Sequence, residues 1–93
     1  MIMSINSKET EKIFNRKYSK KLTHTIQQCA LRKLRMLDAA DHINDLRMPP
    51  GNRLEELGGS RIGQHSIRIN KQWRICFEWK NNDAQNVEIV DYH

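Results

Sequence analysis

The apolar residues of this chain change period once, and the change falls at Pro49-Pro50-Gly51. Upstream, Ile26, Ala30, Leu34 and Leu37, with Cys29 and Ala40 beside them, recur three and four residues apart, the spacing that gathers side chains on one stripe of a helix. Downstream, Trp73, Ile75, Phe77 and Trp79 alternate with Arg74, Cys76 and Glu78, the two-residue period of a strand whose faces differ. Proline lacks a backbone donor and clashes with the preceding turn, so two prolines and a glycine end any helix. Helices first and consecutive strands afterwards predict an α+β domain: N-terminal helices packed on one face of a small antiparallel sheet.

Local signals fill in this outline. Met1 to Ile5 reads as a short first strand. Asn6 or Ser7 offers an N-cap oxygen for a helix running to about Arg16, and Thr23 does the same for the longer helix that carries the apolar stripe. The opposite face of that helix, with Arg32, Lys33 and Arg35, reads as solvated, with a phosphate-tracking surface as the alternative. Arg53 to Leu57 is a weak strand, Gly58-Gly59 a tight turn, and Gln64 to Asn70 a strand with Ile67 and Ile69 on one face and Ser66, Arg68 and Asn70 on the other. Lys80-Asn81-Asn82-Asp83 is a hairpin turn, and Asn86 to Val90 is the last strand.

Ninety-three residues without a repeat or linker make one domain, 1–93, with a modest core. Lys and Arg outnumber Asp and Glu by 16 to 11, which favours anionic partners, nucleic acid first, or an acidic segment of a protein. Cys29 and Cys76 form no CxxC pair and read as buried, reduced thiols. No stretch is apolar enough to span a bilayer, so a soluble, cytoplasmic protein is expected. His24, His42 and His65 have no metal-ligand spacing with one another or with the cysteines, and no metal or cofactor is expected. His24 and His42 read as surface residues; His65 falls on the Ile67 face and reads as packed at the sheet edge.

The chemistry-bearing residues collect late in the chain. Asp91-Tyr92-His93 places a carboxylate, a phenol and an imidazole directly after a strand, where chain ends are usually frayed and bland. Arg74, by alternation, points away from the face of Trp73 and Ile75, and Arg68 shares its face. The plain alternatives are a strand arginine paired with Glu88, a solvated aspartate and a frayed histidine.

In order and spacing, several segments resemble the HigB-type toxins of bacterial toxin–antitoxin pairs, within the RelE/ParE superfamily. They are Lys33-Leu34-x-x-Leu37-Asp38-Ala39-Ala40, Asp45-Leu46-Arg47-x-Pro49-Pro50-Gly51-Asn52-Arg53-Leu54-Glu55, Gln64 to Asn70, Gln72 to Phe77, and Val87 to His93. The resemblance spans essentially the whole chain. It implies a RelE-like fold and a ribosome-dependent endonuclease that cuts messenger RNA in the ribosomal A site. It also implies a helix-turn-helix antitoxin of the HigA type as partner, in a heterotetramer.

Metal-free RNA cleavage needs a base for the ribose 2′-OH, cations for the charge that builds on the phosphate, and an acid for the leaving 5′-oxygen. The resemblance gives Arg74 the phosphate, and the planar fork of an arginine suits it. Asp91 and His93 are the base and acid candidates in either order, and Tyr92 could stack on a base or donate to phosphate. Arg68, Gln72 and Arg61 are candidate RNA contacts; a solvated loop arginine is the plain alternative for Arg61. Some family members carry a lysine before the turn glycine and a histidine three residues before that lysine. Here those places hold Gly58 and Glu55, so weak cleavage is expected. Two rivals remain at this point: a gyrase-directed toxin of the same superfamily, and a non-catalytic module that binds RNA or an antitoxin.

Overall fold

In the computed structural model, which describes residues 1–92, two helices cover one face of a four-stranded antiparallel sheet. Helix α1 spans Lys8–Phe14 and α2 spans His24–Ala39. Strands β1 (Glu55–Glu56), β2 (Gln64–Arg68), β3 (Trp73–Lys80) and β4 (Asp83–Asp91) lie in the sheet in chain order. This is the α+β arrangement expected, helices on one face of a small antiparallel sheet.

The helix starts follow their caps. Ser7, of the two candidates, accepts from the Thr10 amide at 3.1 Å, and Thr23 accepts from that of Ile26 at 3.3 Å. Each satisfies an amide that the first turn leaves without a partner. The α2 stripe is core: Ala30, Leu34 and Leu37 have no exposed surface and pack with Ile67, Ile75, Phe77 and Val87 of the sheet. Asn81 and Asn82 both take positive φ (52° and 62°), so the β3–β4 hairpin turns through two left-handed residues, the geometry that matches strand twist.

Two local expectations are revised. Met1 to Ile5 forms no strand of its own; Ile2 and Ile5 make isolated parallel bridges to Ala84 and Val87 of β4. A bulge admits this segment. Cys76 faces Glu88 while Glu78 faces Gln85, so β4 carries one extra residue, and Asn86 there takes φ 53°. Lys33 is not on a solvated face. It is 7% exposed, and its ammonium donates to Asn52 Oδ1. The Asn52 amide in turn donates to the carbonyls of Leu46 (3.1 Å) and Met48 (3.4 Å). A fully buried asparagine thus ties α2 to the irregular segment before β1, which needs such partners because its backbone lies off the sheet ladder. Gly58-Gly59 turns the chain as expected, through a short 3-10 turn, Gly59–Arg61.

Candidate active site

Strand register sorts the late residues onto two faces. Ile67, Ile75 and Ile89 lie opposite one another beneath the helices. On the helix-free face, Ser66 lies opposite Cys76 and Cys76 opposite Glu88, while Arg68 lies opposite Arg74. Two guanidinium groups facing each other across strands repel; they also make a local positive field for an anion.

Arg74 is held rather than loose. It is 7% exposed. Its Nε donates to Ser66 Oγ at 2.8 Å, and its Nη2 donates to the Arg53 carbonyl at 2.7 Å. Arg53 sits in the left-handed region (φ 45°, ψ 57°), just past the Pro50–Asn52 turn. The Tyr92 ring lies 5.6 Å from Arg74 Cζ, a cation–π contact worth on the order of 1 kcal/mol. Glu55, opposite Ser66 in the β1–β2 register, brings a carboxylate oxygen to 3.9 Å from Arg74 Nη2. That separation is an ion pair but too long for a hydrogen bond.

The other candidates divide. Arg68 shares the face as expected, and its Nε donates to the Asn70 carbonyl at 3.0 Å. Arg61 is not merely solvated: it donates to Glu88 Oε1 at 2.8 Å and to Gln64 Oε1 at 3.0 Å. The Glu88 hydrogen bond raises its pKa and holds it charged. The Glu88 pairing considered for Arg74 is therefore taken by Arg61. Asp91 lies opposite Trp73 in the register and accepts from the Gln72 side-chain amide at 3.2 Å. By alternation Asp91 belongs to the Trp73 face, across the sheet from Arg74. His93 lies outside the described residues. The structure thus joins Arg74, Tyr92 and Arg68 on one face, and pairs Gln72 with Asp91 at the rim.

Sequence reasoning missed Ser66 and the Arg53 carbonyl as the holders of Arg74. The alternation that put Ser66 with Arg68 was the available signal for the first. A left-handed arginine carbonyl leaves none. Burial pushes the Cys76 thiol up from its ordinary value, which suits an inert side chain beneath this face. Among the described residues, no three His, Cys, Asp or Glu side chains converge as metal ligands.

Residues 4–93 match the family model described as the RelE-like toxin HigB of type II toxin–antitoxin systems. The chain belongs to this family. It is 48% identical over 65 residues to Toxin HigB-1 of Vibrio cholerae serotype O1, covering 70% of this chain and 68% of that protein. It is 36% identical over 61 residues to Endoribonuclease HigB of Proteus vulgaris, covering 66% and 65%. The fold also resembles a YoeB–YefM toxin–antitoxin complex from Staphylococcus aureus, solved as a heterotetramer. That match has a TM-score of 0.61 at 18% identity and covers 100% of this chain and 98% of that one. No described helix of this HigB-family toxin is long and apolar enough to cross a membrane.

Proposed function

We propose that this HigB-family protein is a ribosome-dependent endoribonuclease that cuts messenger RNA in the A site without a metal ion. The observation that carries the reading is Arg74: a guanidinium fixed by Ser66 and Arg53, beside the Tyr92 ring, on the face the helices leave open. A charge held in place before substrate arrives costs no reorganisation when negative charge grows on the phosphate. Arg68 and Arg61 add positive field along the backbone of the RNA, and Tyr92 offers a ring for a base to stack on. Gln72 and Asp91, paired at the rim, and His93 are the amide and proton-transfer groups that meet the nucleotide. Attack by the 2′-oxygen leaves a 2′,3′-cyclic phosphate and a 5′-OH. Cleavage is slow, because Gly58 and Glu55 stand where some relatives carry a lysine and a histidine. The ribosome supplies the aligned message, and the net charge of +5 favours that polyanionic partner. The name of the Proteus vulgaris relative supports the nuclease class. In the cytoplasm a HigA-type helix-turn-helix antitoxin holds the protein in an inactive heterotetramer, the assembly state named for the Staphylococcus aureus complex.

The test is primer extension on a message positioned in purified ribosomes, with wild type, Arg74→Ala and a variant lacking residues 91–93. Ribosome-dependent cuts by wild type, lost in both variants while they remain folded, support the reading. An intact message at high protein excess refutes it, and gyrase-dependent DNA breaks would then assign the protein to the gyrase-directed branch.

A further inference from the structure

The two hydrogen bonds on Arg74 do different things. The Nε bond to Ser66 Oγ fixes one point of the guanidinium, and the Nη2 bond to the Arg53 carbonyl, at 2.7 Å, fixes the plane of the fork about that point. The Arg53 carbonyl is placed by a backbone in the left-handed region (φ 45°, ψ 57°). For a residue with a side chain, that conformation costs on the order of 1 kcal/mol or more and persists only where its surroundings enforce it. Here the Asn52 and Arg53 amides donate to the Pro49 and Pro50 carbonyls at 3.0 and 3.1 Å. Asn52 has no exposed surface; its side-chain amide donates to the Leu46 and Met48 carbonyls, and its Oδ1 accepts from the Lys33 ammonium. A polar chain thus runs from α2 through Asn52 and Arg53 to Arg74. A buried ammonium is costly, and burial lowers the Lys33 pKa. An apolar side chain would fill the place at less cost; what the lysine supplies is its bond to Asn52.

We infer that Lys33 and Asn52 are positioning residues for Arg74: from inside the fold they hold the Arg53 carbonyl where it sets the guanidinium plane. Neither acts on the RNA itself; each acts through Arg74. Their value to cleavage rests on the nuclease reading above, and their hold on Arg74 does not. A fork set in advance meets the phosphate oxygens without reorganisation. A fork that turns about Ser66 is aligned only part of the time.

Two measurements on wild type, Lys33→Met and Asn52→Asp test this. The first is solvent exchange of the Arg74 Nε–H, followed in nitrogen–proton spectra and assigned by its disappearance in Arg74→Lys. Methionine fills the lysine's space without a charge to bury, and aspartate keeps an acceptor for Lys33 while losing the donor to Leu46 and Met48. A cooperative urea transition shows which variants fold, and either one, once folded, decides the matter. Nε–H exchange is expected to be at least about ten-fold faster than in wild type, by local opening of the guanidinium. The second is single-turnover cleavage of ribosome-bound message, with each variant made alone and in the Arg74→Ala background. Cleavage should be at least about ten-fold slower in the single variants, since small misplacements of a catalytic group are costly. In the Arg74→Ala background the same substitutions should change the rate by less than about two-fold, because residues acting through one group are not additive. Exchange within about two-fold of wild type in a folded variant overturns the inference. Equal slowing in both backgrounds also overturns it, since the substitution then acts elsewhere than through Arg74. If wild type does not cut, the nuclease reading falls, and the exchange measurement alone upholds or overturns the hold on Arg74.

Discussion

Arg74→Ala is expected to cost stability as well as activity, and the size of the first effect can be worked from the contacts. The substitution removes the Nε bond to Ser66 Oγ at 2.8 Å and the Nη2 bond to the Arg53 carbonyl at 2.7 Å. Each hydrogen bond from a charged group contributes roughly 1.5–3 kcal/mol, so the two together contribute about 3–6 kcal/mol. Against this stands the cost of keeping a guanidinium buried. The Glu55 pair, with its half-exposed partner at 3.9 Å, adds at most about 1 kcal/mol. The net expectation is a loss of about 2–4 kcal/mol. With a urea slope of roughly 2 kcal/mol/M, the middle of the range for a small protein, the midpoint should fall by about 1–2 M with an unchanged slope. Arg74→Lys keeps the charge, but one ammonium cannot reproduce the planar fork, so it should fall part of the way. Ser66→Ala combined with either variant should cost less than the sum of the separate losses, since both remove the same bond. A midpoint for Arg74→Ala within about 0.2 M of wild type would refute the reasoning. The guanidinium would then be free to swing, and its burial would be no sign of a preset phosphate site. Cleavage by Arg74→Ala must accordingly be compared at temperatures where the variant is folded; a drop of about 10²–10³ in rate is expected there.

Two further outcomes follow from buried groups. Burial lowers the Lys33 pKa from its ordinary value of 10.5, so between the lowered folded value and 10.5 the native state holds fewer protons than the unfolded chain. By linkage, stability gains a contribution as pH rises through that window and is without it below. Urea unfolding of wild type and Lys33→Met from pH 8 to 11 should show wild type gaining on the variant with pH; a constant difference would contradict the burial. Cys76 is fully buried with its thiol pKa raised, whereas Cys29 is partly exposed, so a thiol reagent at neutral pH should modify Cys29 in the native protein and Cys76 only on unfolding. Mass mapping of the labelled cysteine checks this, and rapid native labelling of Cys76 would count against the packing of the open face.

The periodic parts of the fold were legible in the sequence. The α2 stripe, the alternation of β3 and the asparagine turn are local patterns, and each sets its residues' environment without reference to distant chain. Three features were not legible, for a common reason. Lys33 lies on the face of α2 that composition alone makes solvated; only the fold brings Asn52 to it, 19 residues on. The bulge at Asn86 depends on Ser4, whose hydroxyl accepts from the Asn86 amide at 2.8 Å across 82 residues. The hold on Arg74 depends on the carbonyl of Arg53, 21 residues away. Long-range polar contacts of this kind have no period and leave no trace in a residue pattern. At the candidate site, the face shared by Arg68 and Arg74 was readable from alternation, and their restraint was not.

Strand geometry also bears on how a site can be built at the end of this chain. Adjacent residues of a strand point to opposite faces, so Asp91 and Tyr92 cannot both accompany Arg74 while the chain continues the register of β4. Tyr92 follows that register far enough for its amide to bond the Gln72 carbonyl, and its ring meets Arg74. Asp91 is thereby committed to the other side, with Trp73 and Gln72. A carboxylate on a neighbouring strand reaches Arg74 from a position of matching parity. In the register, Glu55 faces Ser66, and Ser66 and Arg74 have the same parity on the open face. The two-residue length of β1 is then no defect. It is enough backbone pairing to bring one glutamate to ion-pair distance of Arg74.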